Sequence, residues 1–249
     1  MTRYLIPFSV LLTAAVFLVG CDGIANLDVE NKNDPTRSDV QSAADLEQLL
    51  AGSTSQTFQV TVSDWGPHMD LLADQTTSTN AFRSFWDFAD PEFRRLNNRT
   101  TYANPTIFAD PYSNLNSGQT GANTVLSTVE GGEFSGDDQT AAKLRAGAYL
   151  TRGVARGYLG LIYNQAFVVP AGIDDPTQVE LSPYDAVIDS AVSDLEQAIQ
   201  IAENNDFAWD LLVGNEYSSG EFAAIANSMA AKISIGEART RQEFESFSD

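Results

Sequence analysis

The chain has 249 residues, with 34 Asp and Glu against 14 Lys and Arg, a formal charge of -20. That balance argues against a nucleic-acid partner, whose phosphates require basic patches, and disfavours electrostatic attraction to anionic lipid. At 43% hydrophobic and 10% aromatic it can build a core, and its one Cys and one His exclude an intrachain disulfide and a Cys/His zinc site.

The first segment reads as an address. Arg3 gives a positive n-region, and the apolar run from Leu5 to Val19 has the length of a signal h-region. Leu18-Val19-Gly20-Cys21 resembles the lipobox of bacterial lipoproteins, in which the Cys is lipidated and becomes the mature N-terminus. The only Cys of the chain stands at that position. Residues 1–20 are therefore expected to be a lipoprotein signal peptide, with acyl chains on Cys21 as the sole membrane attachment. Residues 21–37 are polar and acidic with Asn/Asp/Pro punctuation, and read as a tether into a domain over 38–249.

That domain reads as helix after helix. Ser38 is placed to cap a helix through Leu50 that Gly52 ends. Residues 56–77 suggest a helix interrupted at Gly66-Pro67, although the stretch 58–62 has strand-like alternation. Residues 78–105 lack a helical period, and long loops of this kind often carry function.

The aromatic-rich part of that stretch is the candidate ligand site: Phe85, Trp86, Phe88 and Tyr102, with Arg94 and Asn97. Sugars present flat C–H faces that pack on aromatic rings, while Asp, Asn and Arg side chains hydrogen-bond their hydroxyls. The alternative is that these rings only pack a long loop onto the helices. Phe82, Phe93 and Asp87 belong to the same run.

Four strong helices follow. Residues 106–130 carry apolar residues at helical spacing, with a weak point at Gly118. Asp138 is placed to cap 140–163, where Gly153, Gly157 and Gly160 form a ridge suited to a closely approaching helix. Residues 183–203 have Ser182 as N-cap, Pro183 at the first position and Asp185 at the third. Residues 221–236 repeat the apolar stripe. The class is all-α. Helix starts recur at intervals of about 34 to 43 residues, near the tetratricopeptide period of about 34, and plain stacked antiparallel helices fit equally well.

No catalytic apparatus stands out. His68, beside Trp65, has no partner constellation and reads as an ordinary loop or helix residue. Acidic pairs such as Asp174-Asp175 are too common to single out a glycosidase pair, and Asp137-Asp138 suits helix capping. No calcium-loop spacing is present. The chain is expected to be a non-enzyme without cofactor or metal.

The motifs in sequence resemble a known family. The lipobox is followed by Leu27-Asp28, Asn33-Asp34-Pro35-Thr36 and Asp45-Leu46. Then come Ala141-Ala142-Lys143-Leu144-Arg145-Ala146-Gly147-Ala148-Tyr149, Tyr163, Val168-Val169-Pro170 and, from Ser182-Pro183-Tyr184, the run Asp194-Leu195-Glu196-Gln197-Ala198-Ile199. This series resembles the N-terminal half of the SusD/RagB outer-membrane nutrient-binding lipoproteins. The resemblance implies a tetratricopeptide-like helical scaffold on the cell surface. It implies capture of an oligosaccharide or peptide, and delivery to a SusC-like TonB-dependent transporter, without catalysis. Family members are longer, so the chain, which stops shortly after its last scaffold helix, is expected to be a fragment. The competing expectation is a helical-repeat lipoprotein acting as an assembly adaptor.

Overall fold

The computed structural model describes residues 42–79, 84–90, 96, 99, 101–173, 175–211 and 215–245. Cys21, the tether and Ser38 lie outside these residues. The described part is mostly helical, an all-α fold with only short antiparallel strand pairs. Helix α1 (Ala43–Gln59) starts at Ser42, whose hydroxyl accepts from the Asp45 N–H. It runs straight through Gly52, so that glycine does not end it. A Cβ there would meet nothing within 4 Å, and nothing opposes the helix except glycine's own entropy. The strand-like run 58–62 is helical instead, and passes into a π-turn, Val60–Asp64. A fresh start at Gly66-Pro67 then gives α2 (Gly66–Leu72). Here proline opens a helix rather than kinking one, because its missing N–H costs nothing in the first turn. Within the aperiodic stretch lies a five-residue helix, α3 (Phe85–Ala89).

Helices α4 (Thr106–Glu130) and α5 (Asp138–Ile162) follow the sequence pattern closely. The cap of α5 is Asp137 rather than Asp138, its carboxylate accepting from the Thr140 N–H at 2.7 Å. A hairpin of β1 (Gln165–Phe167) and β2 (Leu181–Pro183) leads into α6 (Tyr184–Asn204). Ser182 is paired in that hairpin opposite Ala166, so it does not cap α6. The pair β3 (Ala208–Trp209) and β4 (Tyr217–Ser218) precedes α7 (Ser219–Gly236). Ser218 and Glu221 close a reciprocal capping box there. A last short helix, α8, covers Arg241–Glu245.

Each long helix runs antiparallel to the next. Tyr149 donates to Glu130 and Tyr163 to the Phe108 carbonyl, which sets α4 against α5. The glycine ridge of α5 serves two neighbours. A Cβ on Gly153 would stand 2.7 Å from Leu195 Cγ, and one on Gly160 would stand 2.6 Å from Ile188 Cγ1, both on α6. At Gly157 the obstacle is Ile233 of α7, at 2.2 Å. Gly118 is likewise a close approach rather than a weak point, since its missing Cβ makes room for Thr57 of α1. Helix α5 also meets α1 alongside: the Thr54 and Thr151 hydroxyls are 2.7 Å apart in the core. The main core lies between α1, α4, α5, α6 and α7, with Trp209 and Phe222 as its largest buried side chains.

A buried polar network crosses this core. Arg152 forks onto both oxygens of Asp194, at 2.9 and 2.6 Å, and reaches Asn123 Oδ1 at 2.9 Å. Arg156 shares Asp194 Oδ2 at 2.8 Å, and also donates to Gln119, Ser190 and the Val169 carbonyl. Gln119 and Asn123 donate in turn to the carbonyls of Phe167 and Val169. Burial draws the Arg156 guanidinium down to about 10, with Asp194 opposing that shift. The network ties the segment leaving α5 to three helices at once.

Candidate functional site

A second, smaller core occupies the end of the stack where α4 begins and α5 ends. It gathers Val60, Trp65, Leu71, Phe88, Ile107, Leu115 and Leu159. The π-turn and the proline start of α2 turn the chain sharply there. Trp65 and His68, three residues apart, thereby enter one aromatic cluster. Trp65 meets Phe88 edge-on at 5.7 Å between ring centres, and His68 meets Phe88 at 4.6 Å and Phe85 at 5.0 Å. Phe108 of α4 stacks on Phe88 at 6.2 Å and touches Tyr102 at 5.8 Å. Edge-to-face and offset ring pairs of this kind stabilise by about 0.5–1.5 kcal/mol each beyond area burial.

This cluster anchors α3, and the anchoring sorts the candidate residues. Phe88 is fully buried, so its ring cements the loop and offers no face to a ligand in this structure. His68 is buried with it, as a packing residue. Phe85 is half-buried against His68. Trp86, the next residue, points outward and is 40% exposed. Tyr102 is half-buried and donates to Asp87 Oδ2 at 2.6 Å; burial, then this bond, raises its phenol above the ordinary value. Asn104 donates to Ser84 Oγ at 2.6 Å, holding the residue before α3 in a left-handed conformation, φ 59°. The structure thus brings Phe85, Trp86, Phe88 and Tyr102 to one end of the stack. Arg94 and Asn97, like Phe82 and Phe93, lie outside the described residues.

Beneath the site, Tyr163 seals the end of α5. Its hydroxyl donates to the Phe108 carbonyl at 2.6 Å, its ring meets Tyr112 edge-on at 5.0 Å, and burial pushes its phenol up. The buried Trp65 indole N–H approaches that hydroxyl without reaching hydrogen-bond geometry. A small open cavity, of about 180 Å³, lies between α2, the turn after it and Phe85. The anchoring role of Trp65, His68 and Phe108 had no aromatic-loop signal in the sequence. The i, i+3 pair Trp65/His68 at a Gly-Pro helix start is the cue that marks it.

Among the described residues, no group of three His, Cys, Asp or Glu side chains could hold a metal ion. None of the described helices is long and apolar enough to cross a membrane. The arrangement offers stacking and hydrogen bonding from a rigid support. Compared with protein-family models, curated proteins and solved structures, the chain matches none.

Proposed function

We propose that this chain is a SusD/RagB-type lipoprotein. In this reading it is anchored at the surface of the outer membrane through acylated Cys21. It captures an oligosaccharide without covalent chemistry and passes it to a SusC-like TonB-dependent transporter. The observation that carries the binding role is Trp86, a large ring 40% exposed on a helix that buried rings immobilise. An exposed aromatic normally loses rotamer freedom on binding; one on a pre-organised support loses less and stacks better. Asp87, held by Tyr102, supplies acceptors beside it. The order of motifs behind the lipobox supports the family reading. So does the helix pattern, in which α5 meets α1 and α7 as well as its sequence neighbours.

The test is titration of the full chain with a panel of soluble polysaccharides, by calorimetry or affinity electrophoresis. At least one should bind, and Trp86→Ala should weaken it by about tenfold or more with the unfolding midpoint unchanged. Equal binding by Trp86→Ala, or no binding across the panel, sinks the capture role and favours an assembly adaptor. Anchoring is tested separately by metabolic labelling with a clickable fatty acid, which Cys21→Ala should abolish.

A further inference from the structure

We infer that Arg239 is a clasp by which the segment after α7 holds the aromatic end rigid, acting through Tyr163. This goes beyond the binding role proposed above and does not depend on it. The last carbonyls of a helix have no intrahelical partner, and a cation placed there also answers the helix dipole. Helix α5 has no basic residue in its own last turn. Arg239 supplies one from beyond α7. Its Nη2 donates to the Gly160 carbonyl at 2.9 Å and the Tyr163 carbonyl at 3.0 Å, and its Nη1 donates to Asn164 Oδ1 at 2.6 Å. The guanidinium also lies 3.5 Å over the Tyr184 ring at the start of α6, and the Tyr184 N–H donates to the Asn164 carbonyl. One side chain therefore closes the joint at which α5 ends and α6 begins.

The clasp is itself set in place. Glu243 accepts from the Arg239 and Thr240 N–H groups at 2.8 and 3.0 Å, and its own N–H donates back to Thr240 Oγ1 at 3.2 Å. This reciprocal cap opens α8 and fixes the backbone from which Arg239 reaches. The other end of the connection is Tyr163. Its carbonyl accepts from Arg239 while its hydroxyl donates to the Phe108 carbonyl, so one residue takes both bonds. Phe108 in turn meets Phe88 and Trp65, at 6.2 and 6.0 Å between ring centres. The buried Trp65 indole N–H approaches the Tyr163 hydroxyl from the same cluster. Without the fork, the last turn of α5 would fray as free helix ends do, and the Tyr163 hydroxyl would lose its fixed place beneath the aromatic rings. Arginine suits the task because its planar fork can serve several acceptors while stacking on a ring, which a lysine ammonium cannot.

The experiment is NMR on the full chain with isotope-labelled tryptophan, which gives indole N–H signals from Trp65, Trp86 and Trp209 alone. Trp65→Phe and Trp86→Phe assign them. Trp65 and Trp209 are both buried, so solvent exchange of their indole protons reports opening at the aromatic end and in the main core respectively. Arg239→Ala should speed exchange at Trp65 by about tenfold or more and leave Trp209 as it was. Arg239→Lys, which keeps the charge but not the fork, should leave most of that acceleration in place. Unchanged exchange at Trp65 in Arg239→Ala would show that the segment after α7 does not reach the aromatic end. Equal acceleration at Trp65 and Trp209 would reduce Arg239 to a contributor to general stability, and so overturn the inference. A lysine variant as protected as the unsubstituted chain would assign the effect to charge alone and overturn it too. None of these outcomes requires a glycan, so the carbohydrate reading and the clasp fail separately.

Discussion

Replacing glycine by alanine at two helical positions should move stability in opposite directions. Intrinsically the change favours a helix interior by about 1 kcal/mol at either site, because alanine has less backbone freedom to lose. At Gly52, exposed on α1, a Cβ meets nothing within 4 Å, so Gly52→Ala should keep that full gain. At Gly153 the new atom would stand 2.7 Å from Leu195 Cγ and 3.0 Å from the Ala191 carbonyl oxygen. The leucine branch point and the backbone oxygen cannot both retreat without moving α6. Overpacking of that kind costs about 1–3 kcal/mol, so Gly153→Ala should lose about 1 kcal/mol net. The two variants should differ by about 2 kcal/mol, or about 4–8 °C in Tm for a chain of this size. Urea and thermal unfolding followed by far-UV circular dichroism read both. Leu195→Ala, which empties a fully buried core position, should cost less in the Gly153→Ala background than in the unsubstituted chain, a coupling that independent sites would not show. Equal stabilisation by Gly52→Ala and Gly153→Ala would refute the close approach of α5 and α6.

Three further outcomes are expected. Asp194→Ala should cost about 3–5 kcal/mol in urea unfolding, because it leaves two buried guanidiniums without their carboxylate; a loss under about 1 kcal/mol would mean water reaches them. Phe88→Ala should cost about 3–5 kcal/mol, from a fully buried ring, and a Tm within a degree or so of the unsubstituted chain would show that the cluster does not anchor α3. Acid titration should separate two kinds of carboxyl. Asp137 and Glu221 are held below their ordinary values of 3.8 and 4.5 by the backbone N–H groups they cap, so their support is complete above those values and disappears as pH falls through the lowered ones. Glu237 is raised, first by burial and then by Asp185, Asp189 and Glu243, so Glu237→Gln should raise Tm at neutral pH, and the gain should vanish as acid protonates the native residue. A Tm gain that persists in acid would contradict that sign.

The helical scaffold was largely legible because burial wrote a period into it. The bounds of α4 follow its apolar spacing, and the glycine ridge of α5 announces its close neighbours. The errors fall where local chemistry misleads. Gly52 has the look of a stop signal, yet packing on both sides of it extends α1 to Gln59. Ser182-Pro183 has the composition of a helix start, but pairing with Ala166 and Gln165 claims both residues for the hairpin. Two-residue strands such as Ala208–Trp209 are too short to leave an alternating pattern at all. At the site, composition located the aromatic stretch. It did not sort the rings, because whether Phe88 or Trp86 faces inward depends on Trp65, His68 and Phe108, which arrive from other elements.

The shared carboxylate of Asp194 has a mechanical consequence. Arg152 and Arg156 stand one turn apart on α5, as Gln119 and Asn123 stand one turn apart on α4. Sliding α6 past α5 by one turn, about 5.4 Å, would present Asp194 to a single guanidinium and strand the other. The amide pair on α4 would stay behind, still gripping the Val169 carbonyl and the backbone beside it. The core therefore works as a keyed bolt: three helices share one axial setting. A ligand at the aromatic end, as proposed above, would meet a base that resists shear, and rotation of side chains there costs less than translation of the helices beneath.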